Sequence, residues 1–373
     1  MSLMLGTGLG VVMRQSLNPI YSQIPNWVTA SRNVKNGTAT ARGLNVGDST
    51  TRSITGAGVG VRPTEYKAVA NQLMPTFESA HDDAFFGFSN ASGNALTQDS
   101  RLTNSGAALS TVGVLGGVAC RLAATGNSLT FTPQSTCDRF RVYFWYNGSV
   151  TYSIQATGGT ALTGTLTSGS GTVFGTSTIR YFEVSAATLQ AGNSVTITRT
   201  GGAGTGLEIM GLEAWNSTKK QVIMCNAGVW GSKSADWIVS DGTGRKALDL
   251  INTMPAGYFT FATVKAGIND AGSAVPISTY KSNLQTLINA IKAKGMDCIL
   301  ETDNPVQANN MAAYITALKE LAASNNLLLI NSYDAWGTYT YANSQGWMAD
   351  TSHPNASGNT NMATYLSSKL LSV

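Results

Sequence analysis

The amino-acid sequence predicts an α/β protein whose parallel sheet is interrupted by an inserted antiparallel β-sandwich or jelly roll. Three observations predict it. From Lys220 onward, strand-like apolar runs alternate with amphipathic helical stretches, the pattern of a parallel sheet covered on both faces. Between 78 and 219 the texture changes to short strands with period-two alternation, separated by Gly/Ser/Thr turns. One strand of the first kind, ATARGLNVG, stands before that stretch, so the β segment interrupts the α/β unit rather than following it.

In chain order, residues 1–30 open with MSLMLGTGLGVVMRQ, which is broken by glycines and lacks both a cationic start and a small-residue cleavage site, so it does not read as a signal peptide. The α/β unit is assigned to 31–77 and 220–373. Its first strand ends at Asp48 and Ser49, and a helix is expected from about Thr64 to Met74. The insertion takes 78–219. In RFRVYFWY, residues Phe140, Val142, Phe144 and Tyr146 alternate with Arg139, Arg141, Tyr143 and Trp145, as in a half-buried strand. The runs VTYSIQA, STIRYFEV, NSVTITRT and GLEIMGLEAW follow, with loops such as TGGT and TSGSGT between them, which suits a sandwich. Beyond Lys220 come the strands QVIMCNAG, YFTFATVKAGIND, MDCILETDNP and NLLLINSYDAW. Helices between them keep one apolar face, Tyr280, Leu284, Leu287, Ile288 and Ile291 in one and Met311, Tyr314, Ile315, Leu318 and Leu321 in the next, with Gly295 as a stop.

Composition narrows the function. Charged residues make up 12% of the 373, about half the usual share, which suits an extracellular or virion-borne protein. The net charge is only +4 and no basic run exists, so nucleic acid is not an expected partner. No stretch approaches the roughly 20 apolar residues of a membrane span. The spacing of Cys120, Cys137, Cys225 and Cys298 makes no zinc motif. Cys225 and Cys298 read as buried thiols, and Cys120 with Cys137 leaves a disulfide open.

Only His81 and His353 can supply an imidazole base. His353 lies in Asp350-Thr351-Ser352-His353-Pro354, where a carboxylate three residues earlier can orient the ring; a plain surface turn is the alternative. Ser49 follows a strand end, where ligands bind in open α/β sheets, although it could equally cap the next helix. Asn226 to Gly231 and Gly267 to Asp270 stand past two further strand ends and offer the backbone N–H and amide donors of an oxyanion hole, or simple turns. Trp230 and Trp347 flank these segments as candidate substrate walls or as packing aromatics. His81 reads as a surface residue, with a substrate role as the alternative.

These four segments resemble, in order, the GDS, N-x-x-x-x-G, G-x-N-D and D-x-x-H-P blocks of the SGNH (GDSL-like) hydrolases. The resemblance covers about 45–78 and 220–373, with GDST here in place of the common GDSL. It implies a flavodoxin-like three-layer domain. It also implies Ser49 as nucleophile, His353 as base, Asp350 as its orienter, and an oxyanion hole of the Ser49 and Gly231 N–H groups with the Asn269 amide. No cofactor is needed. Ser49 and Gly231 stand 182 positions apart, more than a compact member needs, and similar insertions occur in relatives resembling carbohydrate deacetylases, including phage tail-associated ones. The expected reaction is hydrolysis of O-acyl, chiefly O-acetyl, esters on a polysaccharide. The exposed pair Tyr143 and Trp145 is expected to help bind it. Hydrolysis of small acyl esters by a lipase-like or thioesterase-like enzyme, and an inactive tail or adhesion component, are the alternatives. A homo-oligomer or virion assembly stays open.

Overall fold

The computed structural model describes residues 19–52, 64–88, 94–145, 148–308 and 310–373. Residues 1–18 and Tyr146, on which sequence readings fell, lie outside them.

The strands Ala80–Phe86, Val222–Gly228, Ala41–Gly47, Phe261–Ala266, Asp297–Thr302 and Leu328–Ile330 pair in that spatial order, all parallel. Leu44 and Val46 face one way, toward Leu284, Ile288, Ile291 and Leu318 of the covering helices. Ala41, Met224 and Phe261 face the other, toward Trp27, Leu73 and Leu366. This is the three-layer arrangement that apolar strands between amphipathic helices require. The expected helix near 64–74 runs Glu65–Phe77, capped by the Thr64 hydroxyl on the Lys67 N–H. Within the amino-terminal segment, the helix Pro25–Lys35 docks on the sheet's second face. Trp27 is fully buried, with its ring edge on Phe77 and Phe261, and the Asp297 carboxylate accepts from the Asn26 and Trp27 N–H groups at the helix start.

The β segment is not appended to this sheet but grows from it. Leu207–Trp215 pairs antiparallel with Ala80–Phe86, and Cys137–Trp145, Ile179–Gln190 and Thr172–Val173 continue outward, so parallel and antiparallel halves form one 12-stranded sheet. Ala107–Val114 and Gly117–Leu122 join at Leu207–Trp215. A second sheet, in the order Leu102–Ser105, Ser128–Phe131, Val195–Gly201, Thr151–Ala156 and Leu162–Thr165, packs on the antiparallel half. Phe131, Phe140, Phe144, Ile154 and Ile197 fill the space between.

Two readings of the sequence change here. A second parallel strand, Ala80–Phe86, precedes the antiparallel strands; its His81-Asp82-Asp83 start hid it among polar residues. His81 is accordingly buried, at 6% exposure, and its Nδ1 accepts from the Asp83 N–H. Tyr143 is not an exposed aromatic either. Its face of the strand meets a second layer that includes Phe174, Trp237 and Ala247, and its hydroxyl bonds Glu213 and Tyr258. Trp145 is half-buried under the Arg245 guanidinium. The four cysteines are free and buried, and burial pushes the Cys298 thiol up to about 12, which leaves it unreactive. Among the described residues no helix is long and apolar enough to cross a membrane.

Candidate active site

Ser49 opens a short helix, Ser49–Arg52, directly after Ala41–Gly47. The turn is tight enough that a Cβ on Gly47 would lie 2.0 Å from Thr51 Oγ1. Being first in the helix, the Ser49 N–H has no partner within it. At the far end of that helix, the half-buried Arg52 donates to the Phe86 and Gly87 carbonyls, 3.4 and 3.0 Å away, tying the turn to the strand where the antiparallel half begins.

Two segments distant in sequence meet here. Ser49 Oγ is 2.9 Å from His353 Nε2, and His353 Nδ1 is 2.9 Å from Asp350 Oδ2. Asp350 also accepts from the Ser352 and His353 N–H groups, at 2.8 and 2.7 Å, closing the turn that Pro354 ends. Burial pushes the Asp350 carboxyl up, but these backbone donors and the His353 ring more than offset it and hold it below the usual carboxylate range. An ionised Asp350 favours the tautomer with a proton on Nδ1, which leaves Nε2 free to accept from Ser49.

The donors stand around the same turn. Val229 N–H donates to Gly47 O, and Gly231 takes φ +67 with open space at its Cβ position and no acceptor for its N–H among the described residues. Asn269 is half-buried, and its amide donates to Ser232 O at 3.0 Å and Asp48 Oδ2 at 3.2 Å. Asn226 does not reach the opening; its side chain braces Thr51 O and the Gly228 N–H. Trp230 lies at the base, its ring 5.4 Å from that of His353 and tilted by 31°. Trp347 packs instead on Trp336 and Tyr341, and its carbonyl accepts from Asn355 N–H.

The sequence reading missed a supporting layer. Asn304 Nδ2 donates to Ser352 O at 2.9 Å, and Gln307 N–H to Thr351 O, so the segment after Asp297–Thr302 props the histidine loop. Thr50 and Asp303 sit below Ser49. The signal was available: ETDNP is a polar run at a strand's carboxyl end, the same position as the blocks that were read.

A family model of GDSL-like lipases and acylhydrolases matches residues 191–360, a span holding Gly231, Asn269, Asp350 and His353 but not Ser49. Over that span the chain matches the GDSL-like (SGNH) hydrolases, and it is a carboxylic ester hydrolase. The hydrolase shares its fold with a peptidoglycan O-acetylesterase at TM-score 0.67 and 14% identity, over 93% of this chain and 95% of that one. Partial likenesses include a lipase/acylhydrolase from Enterococcus faecalis, with TM-score 0.33 and 20% identity over 40% of this chain and 76% of that one. Another is a family two carbohydrate esterase from Clostridium thermocellum, with TM-score 0.30 and 9% identity over 68% and 94%. No curated protein sequence matches the hydrolase.

The backbone around Ser49 leaves little room. A Cβ on Gly228 would lie 2.6 Å from Arg52 N and 3.0 Å from Asp48 O, backbone atoms of the serine turn. Gly228→Ala should therefore shift that turn and lower kcat about 100-fold, as a displacement near 1 Å does elsewhere. Gly231→Ala, which meets no neighbour, should cost only the strain of its positive φ. Steady-state ester hydrolysis by the two variants tests the contrast; equal effects would place the constraint elsewhere.

Proposed function

We propose that the hydrolase removes O-acetyl groups from a polysaccharide, with Ser49, His353 and Asp350 as its catalytic triad. The observation that carries this reading is the unbroken pair of contacts from Ser49 Oγ through the His353 ring to Asp350, each 2.9 Å. His353 Nε2 takes the Ser49 proton as Oγ bonds to the acetyl carbon, and the carbonyl electrons move onto oxygen. The Ser49 and Gly231 N–H groups and the Asn269 amide would hold that oxyanion. For Asn269 to take part, its longer contact, to Asp48, yields. Collapse expels the sugar alkoxide, which takes the proton from His353. Water, deprotonated by the same nitrogen, then attacks the acetyl-serine and releases acetate.

The polysaccharide is supported by the shared fold with a peptidoglycan O-acetylesterase along nearly the whole chain, antiparallel module included. On this reading 31–77 with 220–373 is the hydrolase unit, and 78–219 is a carbohydrate-binding-like module. Trp230, whose ring lies beside that of His353, would wall the acyl or sugar site, and Trp347 would shape the loop behind it. An extracellular or virion setting rests on composition and the family resemblance alone.

The test is acetate release by the wild type and Ser49→Ala from O-acetylated peptidoglycan, other O-acetylated bacterial polysaccharides and acetyl-xylan, beside para-nitrophenyl acetate and butyrate. Serine-dependent release from a polymer is expected. Turnover of the small esters alone would replace this reading with a short-chain esterase, and no turnover of any would leave the inactive-component alternative.

A further inference from the structure

The end of the parallel sheet beneath Ser49 carries more acid than base. Asp48, Glu65, Glu301 and Asp303 are each at most 1% exposed, and Lys265, fully buried and 2.7 Å from Glu65, is the cation whose field reaches them. Four ionised carboxylates beside one ammonium would leave uncompensated charge away from water, so carboxyls here keep protons.

The geometry shows where one such proton is needed. Thr50 Oγ1 lies 2.9 Å from Asp48 Oδ1 and 3.0 Å from Asp303 Oδ1. A hydroxyl has one hydrogen, so it can satisfy one of these oxygens; the second contact is a hydrogen bond only if that carboxyl brings its own proton. The remaining acceptor positions reach a third strand end. Asp48 accepts from the Thr50 N–H at 2.8 Å and from Asn269, while Asp303 Oδ2 accepts from the Ile268 N–H at 3.0 Å. The unit thus bolts together the turns that follow Ala41–Gly47, Phe261–Ala266 and Asp297–Thr302.

We propose that Asp303 is a positioning residue: through Thr50 it shares one proton with Asp48, and this proton locks the turn that presents Ser49 and keeps a second negative charge away from the oxyanion site. The inference rests on the reading of Ser49 as nucleophile. Asp48 and Asp303 face Lys265 as the attracting charge, with Glu65 beside Asp303, and Glu301, Asp270, Tyr66 and Tyr280 lie in the same field. Burial and the Asp303 carboxyl push Asp48 up to about 8. When the shared proton leaves, two like charges press on one hydroxyl and the turn loosens, so turnover falls on the alkaline side.

Asp303→Asn separates this role from mere packing, because an amide N–H can donate to Thr50 as the protonated acid does but cannot titrate. The wild type is expected to lose kcat for para-nitrophenyl acetate as pH rises through about 8. Asp303→Asn should stay within about threefold of it at neutral pH and lack that alkaline loss. Thr50→Val, which cuts the link, should lower kcat about tenfold at unchanged KM. An unchanged alkaline limb in Asp303→Asn, or a folded but inactive Asp303→Asn, overturns the proposal.

A second readout needs no substrate. A carboxyl whose folded pKa is raised holds a proton that the unfolded chain releases near its ordinary value of about 3.9. Its contribution is therefore present at acid pH and is lost as pH climbs to about 8. The melting temperature of Asp303→Asn should fall less steeply than that of the wild type over this range, and parallel curves would also overturn the proposal. If the wild type hydrolyses no ester, the nucleophile reading fails while the melting curves still test the shared proton.

Discussion

Replacing Ser49 by alanine is expected to lower kcat for ester hydrolysis by about 10⁴- to 10⁶-fold while leaving the melting temperature within a degree or so of the wild type. The two halves of this result have separate causes. Among the described residues Ser49 Oγ makes a single side-chain contact, the one to His353 Nε2, so on the proposed mechanism its removal deprives the reaction of its nucleophile and the imidazole of its proton donor. The backbone framework does not depend on that oxygen. Arg52 still ties the helix to Phe86 and Gly87, and Val229 still bonds Gly47. His353→Ala should cost nearly as much, and the double variant little more, since residues acting as one unit are not additive. Steady-state rates together with covalent labelling by an organophosphate read this directly. Labelling of the wild type at Ser49, abolished in both single variants, is the expected pattern. Turnover of Ser49→Ala within about tenfold of the wild type would remove Ser49 from the mechanism.

The parts of this molecule that were legible in the sequence are those whose signal is local. Strands buried on both faces read as apolar runs, and Ser49, Gly231, Asn269 and His353 stood out as polar or glycine positions just past them. The D-x-x-H spacing encoded a contact within one turn, and the structure has it at 2.9 Å. What stayed hidden depends on neighbours far along the chain. Alternation in Cys137–Trp145 showed that two faces differ, but not that the Arg141 and Tyr143 face meets a second protein layer instead of water. Once the sheet is continuous, that face must be covered, and Glu213 there is held down to about 2 against burial by Arg42 and Arg141. The strand Ala80–Phe86 was masked because His81, Asp82 and Asp83 are polar residues that the fold buries; Asp83, for example, accepts from the remote Gln134, Ser135 and Arg101. Thr50 and Asp303 carry no motif at all, and their relation is visible only when two strand ends are brought side by side.

The same crowding of acids under the site makes Lys265 the position where one substitution should cost the most stability. Its ammonium is completely buried against Glu65. Burial lowers its pKa, yet Glu65, Asp303 and Glu301 outweigh that and raise it, so it stays charged in the folded chain. Lys265→Met keeps much of the side-chain volume but leaves Glu65 without its partner, a type of change that costs about 3–5 kcal/mol. In the wild type the raised Lys265 pKa contributes stability fully below its unfolded value of about 10.4, and this fades as pH climbs past its folded one. Adding Glu65→Gln to Lys265→Met removes the stranded charge and should restore most of the loss, because replacing both partners of a buried pair is far cheaper than removing one. Chemical denaturation of the wild type, the single and the double variant at mildly acid and mildly alkaline pH measures all three terms. A single-variant loss below about 1 kcal/mol at alkaline pH, or no rescue in the double variant, would mean that the pair is not what holds this acidic layer together.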